Sequence, residues 1–172
     1  GTVASRVAEA LGFLYLDSGA LYRLTALYAQ KQNVAWTDED AVSTLAETLP
    51  AQFEGSVVLL NGEDVSEQIR TEAIGMGASA VAQLPKVRTA LLQRQRDFLT
   101  EKGLVADGRD IGSVIFPDAA LKIFLTASAN VRAQRRAKQL GIPCEGVAFE
   151  RILSDIEARD EADRRRPVAP LK

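Results

Sequence analysis

The stretch FLYLDSGALYRLTALYAQ, residues 13–30, decides the fold. Phe13 to Leu16 is a short apolar run that reads as a buried strand. Asp17-Ser18-Gly19 then turns the chain. Either Asp17 or Ser18 can cap a helix over residues 20–32, whose apolar face is Leu21, Leu24, Ala26, Leu27 and Tyr28. A strand, a tight turn and a helix form the repeating unit of an α/β protein with a parallel sheet. The turn falls at the carboxyl edge of the strand, where open α/β sheets bind ligands. Arg23 stands one turn into the helix, and its planar donor fork suits an anion gathered at a helix N-terminus. A capped helix carrying a solvated arginine accounts for the same residues equally well.

Working outward, Val3, Val7, Ala10 and Leu11 repeat at helical spacing before Gly12 stops the run. Thr37-Asp38-Glu39-Asp40 has the form of a capping box and predicts a helix through Leu49, closed by Pro50. Residues 52–53, 56–60 and 65 are strand-like, with Asn61-Gly62 as a hairpin turn, so the segment at 41–80 reads as an inserted subdomain. A helix of small residues is expected over 71–82, and a long one from Pro85 to about Lys102. Leu104 to Ala106 and Leu121 to Leu125 read as strands. Helices over 128–140 and 147–165 follow, parted by Gly141 to Gly146. Alternating strands and helices make the fold class α/β.

Composition narrows the chemistry. The 172 residues suit a single compact core, and no apolar run approaches the ~18 residues of a membrane span. With 21 basic and 23 acidic residues the chain is not a general nucleic-acid binder. It has no histidine, which excludes Ser-His-Asp triads and His-ligated metals. Its one cysteine, Cys144, can form neither an internal disulfide nor a zinc cluster. The expectation is a soluble protein in a reducing, cytoplasmic setting. Carboxylates and arginines without histidine suit phosphate chemistry, in which positioning and charge neutralisation dominate.

Two further clusters fit that chemistry. Asp107-Gly108-Arg109-Asp110 follows an apolar strand, and two carboxylates flanking an arginine there could hold a hydrated magnesium ion and a phosphate together. A turn with a surface ion pair is the plainer reading. Ten of the 21 basic residues lie between Asn130 and Lys172. Arg132 and Arg136 share a helix face, as do Arg159, Asp163 and Arg166. Interleaved Glu and Arg usually mean a solvated helix, whereas the functional reading is a mobile lid closing over phosphates.

Taken together, DSGALYR (17–23), LPKVRTALLQRQRDF (84–98), VADGRDIGSVIFPDA (105–119), LKIFLTAS (121–128) and ARDEADRRRPVAPL (158–171) resemble the bacterial cytidylate kinases, a P-loop nucleoside monophosphate kinase family. The likeness runs along essentially the whole chain. It implies a core sheet of order 2-3-1-4-5, a monophosphate-binding insert and a helical lid. Segments 1–40 and 81–130 would form the core, 41–80 the insert, 131–166 the lid and 167–172 the return to the core. The implied reaction moves the γ-phosphoryl group of ATP onto CMP or dCMP, with Mg²⁺ as cofactor. The implied partners are these small nucleotides, with no nucleic acid or membrane, on a monomeric enzyme.

The resemblance also assigns residues. Arg23, Arg109 and Arg166 would bind the monophosphate. Ser79, Arg88 and Asp110 would read the cytosine edge, with Ser18 nearby, and Asp163 would take the ribose hydroxyls beside Arg159. Asp107 would support Mg²⁺ through water and serve the catalytic region with Arg109, while Arg132 and Arg136 act on the ATP phosphates from the lid. Gly1 and Thr2 match only the tail of the family's glycine-rich phosphate loop. The expectation is therefore a fragment lacking that loop, strands 1 and 5 and the last helix. Strand 13–16 should then pair directly with 104–107, and 121–125 should not pair with 104–107. The rival readings are a kinase for UMP or AMP, and a truncated module that holds CMP without phosphorylating it.

Overall fold

The computed structural model describes residues 1–166, folded as two units that divide between Pro117 and Asp118. In the first unit, α1 (Thr2–Leu11) stops at Gly12, whose left-handed backbone (φ 67°) turns the chain into β1 (Leu14–Asp17). Asp17 caps α2 (Ser18–Lys31) by accepting from the Ala20 amide. The strand–turn–helix reading of residues 13–30 is thus the local structure.

Helix α3 (Glu39–Glu47) is capped by the Asp38 carboxylate on the Ala41 amide, one residue later than the capping box predicts. An antiparallel sheet follows, of β2 (Ala51–Glu54), β3 (Val57–Leu60) and β4 (Glu63–Asp64). Between β3 and β4, Asn61 and Gly62 both take positive φ (51° and 81°), the backbone a two-residue hairpin turn demands. Next come α4 (Glu72–Val81), capped by Thr71, and α5 (Pro85–Arg96). Then β5 (Leu104–Asp107) pairs in parallel with β1, Leu14 opposite Leu104 and Asp17 opposite Asp107. A π-helical turn at Ile111–Ile115 ends the unit's regular structure.

Helix α2 is the hub. One side packs Leu21, Leu24 and Leu27 with Leu16, Leu60, Val65 and Ile74. The other packs Tyr22, Ala26 and Ala29 with Val42, Val81, Val87 and Leu91. Burial on two sides explains why its sequence is not sharply amphipathic.

In two places the structure corrects the expectations. Helix α5 ends at Arg96, not near Lys102, because the chain must reverse to lay Leu104 beside Leu14. Gly103 completes that reversal at φ 86°, and any Cβ there would meet the Phe13 ring at 2.8 Å. Residues 121–125 are not a strand. Leu121, Ile123, Phe124 and Leu125 are 77, 79, 68 and 82% exposed. A strand exists only against a partner ladder, and none of the described residues pairs with this segment. The expected direct pairing of 13–16 with 104–107 holds.

The second unit holds α6 (Ala129–Leu140), capped by Ser128 and ended at left-handed Gly141, and α7 (Gly146–Arg165). Their shared core is small: Ala133, Ala137 and Phe149 are buried, with Ile142, Ile152, Leu153 and Ile156 packed around them. No helix among the described residues is long and apolar enough to cross a membrane. Residues 167–172, expected to return to the core, lie outside the described residues.

Candidate active site

The parallel pairing sets Asp17 and Asp107 opposite each other at the carboxyl ends of adjacent strands. The N-terminus of α1 meets this edge. There Gly1 lies against Asp107, and the Tyr15 hydroxyl donates to Asp107 Oδ2 at 3.4 Å. Burial, aided by the negative charge of Asp17, pushes the Tyr15 phenol up to about 12. Asp17 and Asp107 are the oxygen donors of this edge.

That donor set was tested against the magnesium ion implied by the resemblance. Mg²⁺ keeps most of its waters and is held through one or two carboxylates rather than an all-protein cage. Asp17 and Asp107 fit that mode, and the described residues hold no group of three or more acidic, Cys or His side chains able to enclose a metal.

A second corner forms where α2, α5 and the loop after β5 meet. Arg88 on α5 is 8% exposed and Asp110 5%. The Arg88 guanidinium donates to the Asp110 carboxylate and, through Nη1, to the Ala82 carbonyl at 3.0 Å. It also lies 5.5 Å from the centroid of the Tyr22 ring, one turn along α2 from Ser18. Ser18 is buried and donates its hydroxyl proton to Gln95 Oε1 at 2.7 Å. Gly108 closes over it: a Cβ at that position would approach the Ser18 Cβ and the Ile111 side chain to 2.8 Å. Ser18, Arg88 and Asp110 therefore share one buried polar corner. Ser79 is half-buried on α4, outside these contacts.

Arg23 leans across α4, donating through Nη1 to the Ile69 carbonyl at 2.6 Å. The lack of a side chain at Gly75 lets the guanidinium lie there, since a Cβ would come within 3.2 Å of it. Arg109 is exposed on the loop between Asp107 and Asp110.

The second unit carries the other arginines. Arg132 grips Asp160 with both terminal nitrogens, Nη1 reaching Oδ1 at 3.0 Å, while Nε donates to the Ala127 carbonyl at 3.0 Å. The hydrogen bond to Asp160 raises the guanidinium above its usual range. Buried Arg166 donates to buried Asp163 at 3.4 Å. Arg136 is half-buried, within 3.5 Å of Gln139, and Arg159 is exposed.

Sequence reading passed over Gln95, Tyr22 and Asp160. Gln95 was visible in principle, because Val87, Arg88, Leu91 and Gln95 form the buried stripe of α5. A glutamine on a buried stripe must find hydrogen-bond partners. Asp160 carries no such signal, since ten of the twenty residues of α7 are charged.

The cytidylate kinase family model matches residues 1–172. Among similar proteins are cytidylate kinases of Neisseria meningitidis serogroup C (80% identical), Neisseria gonorrhoeae (78%) and Chromobacterium violaceum (58%). Each match covers all of this chain and 79, 79 and 78% of the relative, respectively. By this unbroken similarity along its whole length, the chain belongs to the cytidylate kinase family.

Proposed function

We propose that the chain works in transferring the γ-phosphoryl group of ATP to CMP or dCMP, giving CDP or dCDP. The observation that carries this reading is the Arg88–Asp110 pair. It is a carboxylate and a guanidinium kept out of water in one buried corner, over Tyr22. Burying an ion pair rarely adds stability over well-packed apolar residues, so its presence favours a recognition role. Cytosine offers an exocyclic amine, which needs an acceptor, and a ring nitrogen and carbonyl, which need donors. With Oδ2 held by Arg88, Asp110 keeps Oδ1 for the amine, and Arg88 supplies donors. Uracil would set a carbonyl against the carboxylate, which is repulsive. Ser79 adds a hydroxyl to the same reading.

Arg23 and Arg109 bind the monophosphate and Arg166 completes the set, while Asp163, with Arg159, takes the ribose hydroxyls. The transfer is in line: the acceptor phosphate oxygen of CMP bonds to the γ-phosphorus as the bond to the β,γ-bridging oxygen breaks. No covalent enzyme intermediate is needed. Mg²⁺ supplies charge neutralisation on the phosphoryl oxygens, and Asp107, with Asp17, would hold its water shell. Gly1 and Thr2 open α1 at this edge, where helix amides favour the ATP phosphates. Arg136 and Arg132 act from the second unit. Arg132 reaches a phosphate only by exchanging Asp160 for it. Segments 41–80 and 131–166 serve as monophosphate-binding insert and lid on a core of 1–40 and 81–130. The enzyme is a monomer of the cytoplasm.

The test is Asp110→Asn. An amide can donate to the uracil carbonyl where a carboxylate cannot. The CMP-over-UMP preference should therefore collapse by tenfold or more, about the worth of a charge-assisted hydrogen bond. An unchanged preference removes Asp110 from base recognition.

A further inference from the structure

Resting on that reading of the base site, we infer that Gln95 is a positioning residue that sets base specificity by fixing the direction of the Ser18 hydroxyl. Gln95 is fully buried in the last turn of α5. Its Nε2 donates to the Leu91 carbonyl at 3.2 Å, and its Oε1 accepts from Ser18 Oγ at 2.7 Å. A carbonyl can only accept, so Leu91 decides which end of the amide faces it. The flipped amide would press Oε1 against the Leu91 oxygen and lose that bond. Gln95 therefore presents an acceptor to Ser18, and the hydroxyl proton is committed to it.

The consequence lies at the ligand side of Ser18. A free serine hydroxyl rotates and serves as donor or acceptor as its partner requires, so it cannot tell an amine from a carbonyl. A hydroxyl whose proton is already used offers only lone pairs. Gly108 packs over Ser18 two residues before Asp110, and on this inference the lone pairs face the side that would receive the base edge. There they accept from the cytosine amine and repel the uracil carbonyl, adding to the effect of Asp110. Two groups on one corner thus present acceptors, one by its charge and one by a hydrogen bond made behind it.

The test measures CMP and UMP dissociation constants by calorimetry on the wild type, Gln95→Met, Gln95→Glu, Ser18→Ala and Ser18→Ala/Gln95→Met. Gln95→Met frees the hydroxyl to donate. UMP should then bind more tightly, and the CMP-over-UMP ratio should fall about five- to tenfold, the range of one neutral hydrogen bond. Tighter UMP binding is a gain that mere structural damage does not produce. Gln95→Glu keeps an acceptor toward Ser18 in either protonation state and should hold the ratio near wild type. In the Ser18→Ala background Gln95→Met should leave the ratio unchanged, because the two act as one unit. A shift with Ser18→Ala but none with Gln95→Met overturns the positioning role and leaves the base reading intact. A wild type that binds CMP and UMP equally overturns the base reading itself. Should the apolar variant fold poorly, NMR of the wild type decides. A protected Ser18 hydroxyl proton that stays on Gln95 as CMP is added supports the proposal, and one that turns to the nucleotide overturns it.

Discussion

Arg88–Asp110 in the first unit and Arg132–Asp160 in the second are both arginine–aspartate pairs, yet their surroundings differ. The first lies within a unit that already has two apolar clusters centred on α2, and both partners are less than a tenth exposed. The second joins two helices whose common core has only three buried apolar residues, and the Arg132 side chain is a third exposed. Where apolar packing is ample, a buried ion pair adds little to stability, and its presence points to recognition. Where packing is thin, two donors of one guanidinium on Asp160 tie α6 to α7, while its Nε is fixed on Ala127 ahead of α6. The same chemistry sits on a full core in one unit, where we propose that it reads a ligand, and bridges two thinly packed helices in the other.

The hardest blow to this contrast falls on function in the first unit. Arg109→Ala should lower kcat/KM for phosphoryl transfer to CMP by about 10²- to 10³-fold, the usual cost of one donor aimed at developing charge. Arg109 is exposed on a loop, so thermal unfolding should stay near wild type. Kinetics within tenfold of wild type would place Arg109 outside the phosphate site.

Next in size is packing. Gly77 faces Trp36, and a Cβ there would come within 2.5 Å of the indole ring, whose Nε1 donates to the Ala26 carbonyl at 2.9 Å. Gly77→Ala should cost about 1–3 kcal/mol, as overpacking of a core does. Trp36 is the only tryptophan, so its fluorescence follows the first unit alone. An unchanged fluorescence midpoint in denaturant would show that this contact yields freely.

Smaller still is the staple. Asp160→Asn should destabilise the α6–α7 pair by about 1–2 kcal/mol, discounted from a fully buried pair because Arg132 is partly exposed. Circular dichroism should record the loss while the Trp36 signal holds its midpoint. Equal shifts in both signals would mean that the units unfold together, and the contrast between them would fall.

Much of this arrangement is legible in the residues. Asp17, Ser18 and Arg23 follow a short apolar run, and that local signal is enough to place a strand end, a cap and a helix. Asn61-Gly62 specifies its own turn. The failures share one cause, that pairing and packing are not local. Nothing within Asp97 to Lys102 says that Gly103 must bring the chain back along β1. Nothing within Leu121 to Leu125 says whether a ladder is offered to it. The partners of Arg132 and Ser18 lie 28 and 77 residues away. Candidate residues are readable by type and spacing, and their partners are not.

The smallest expected effect uses a second reporter confined to the first unit. All three tyrosines, Tyr15, Tyr22 and Tyr28, precede Pro117. Tyr15, beside Asp17 and Asp107 at the strand ends, is held up to about 12 by burial first and by the Asp17 charge second. Its folded value lies above the ordinary 10.0, so the native state keeps the proton longer than the unfolded chain does. The associated stability is complete below about pH 10 and is lost as pH rises through about 12. Absorbance titration should therefore show a late phenol that Tyr15→Phe removes. The wild-type Trp36 midpoint should fall more steeply than that of the variant between those pH values. A titration in which Tyr15→Phe leaves the late phenol in place would detach that signal from Tyr15, and the strand-end carboxylates would then have no part in holding a proton at this edge of the first unit.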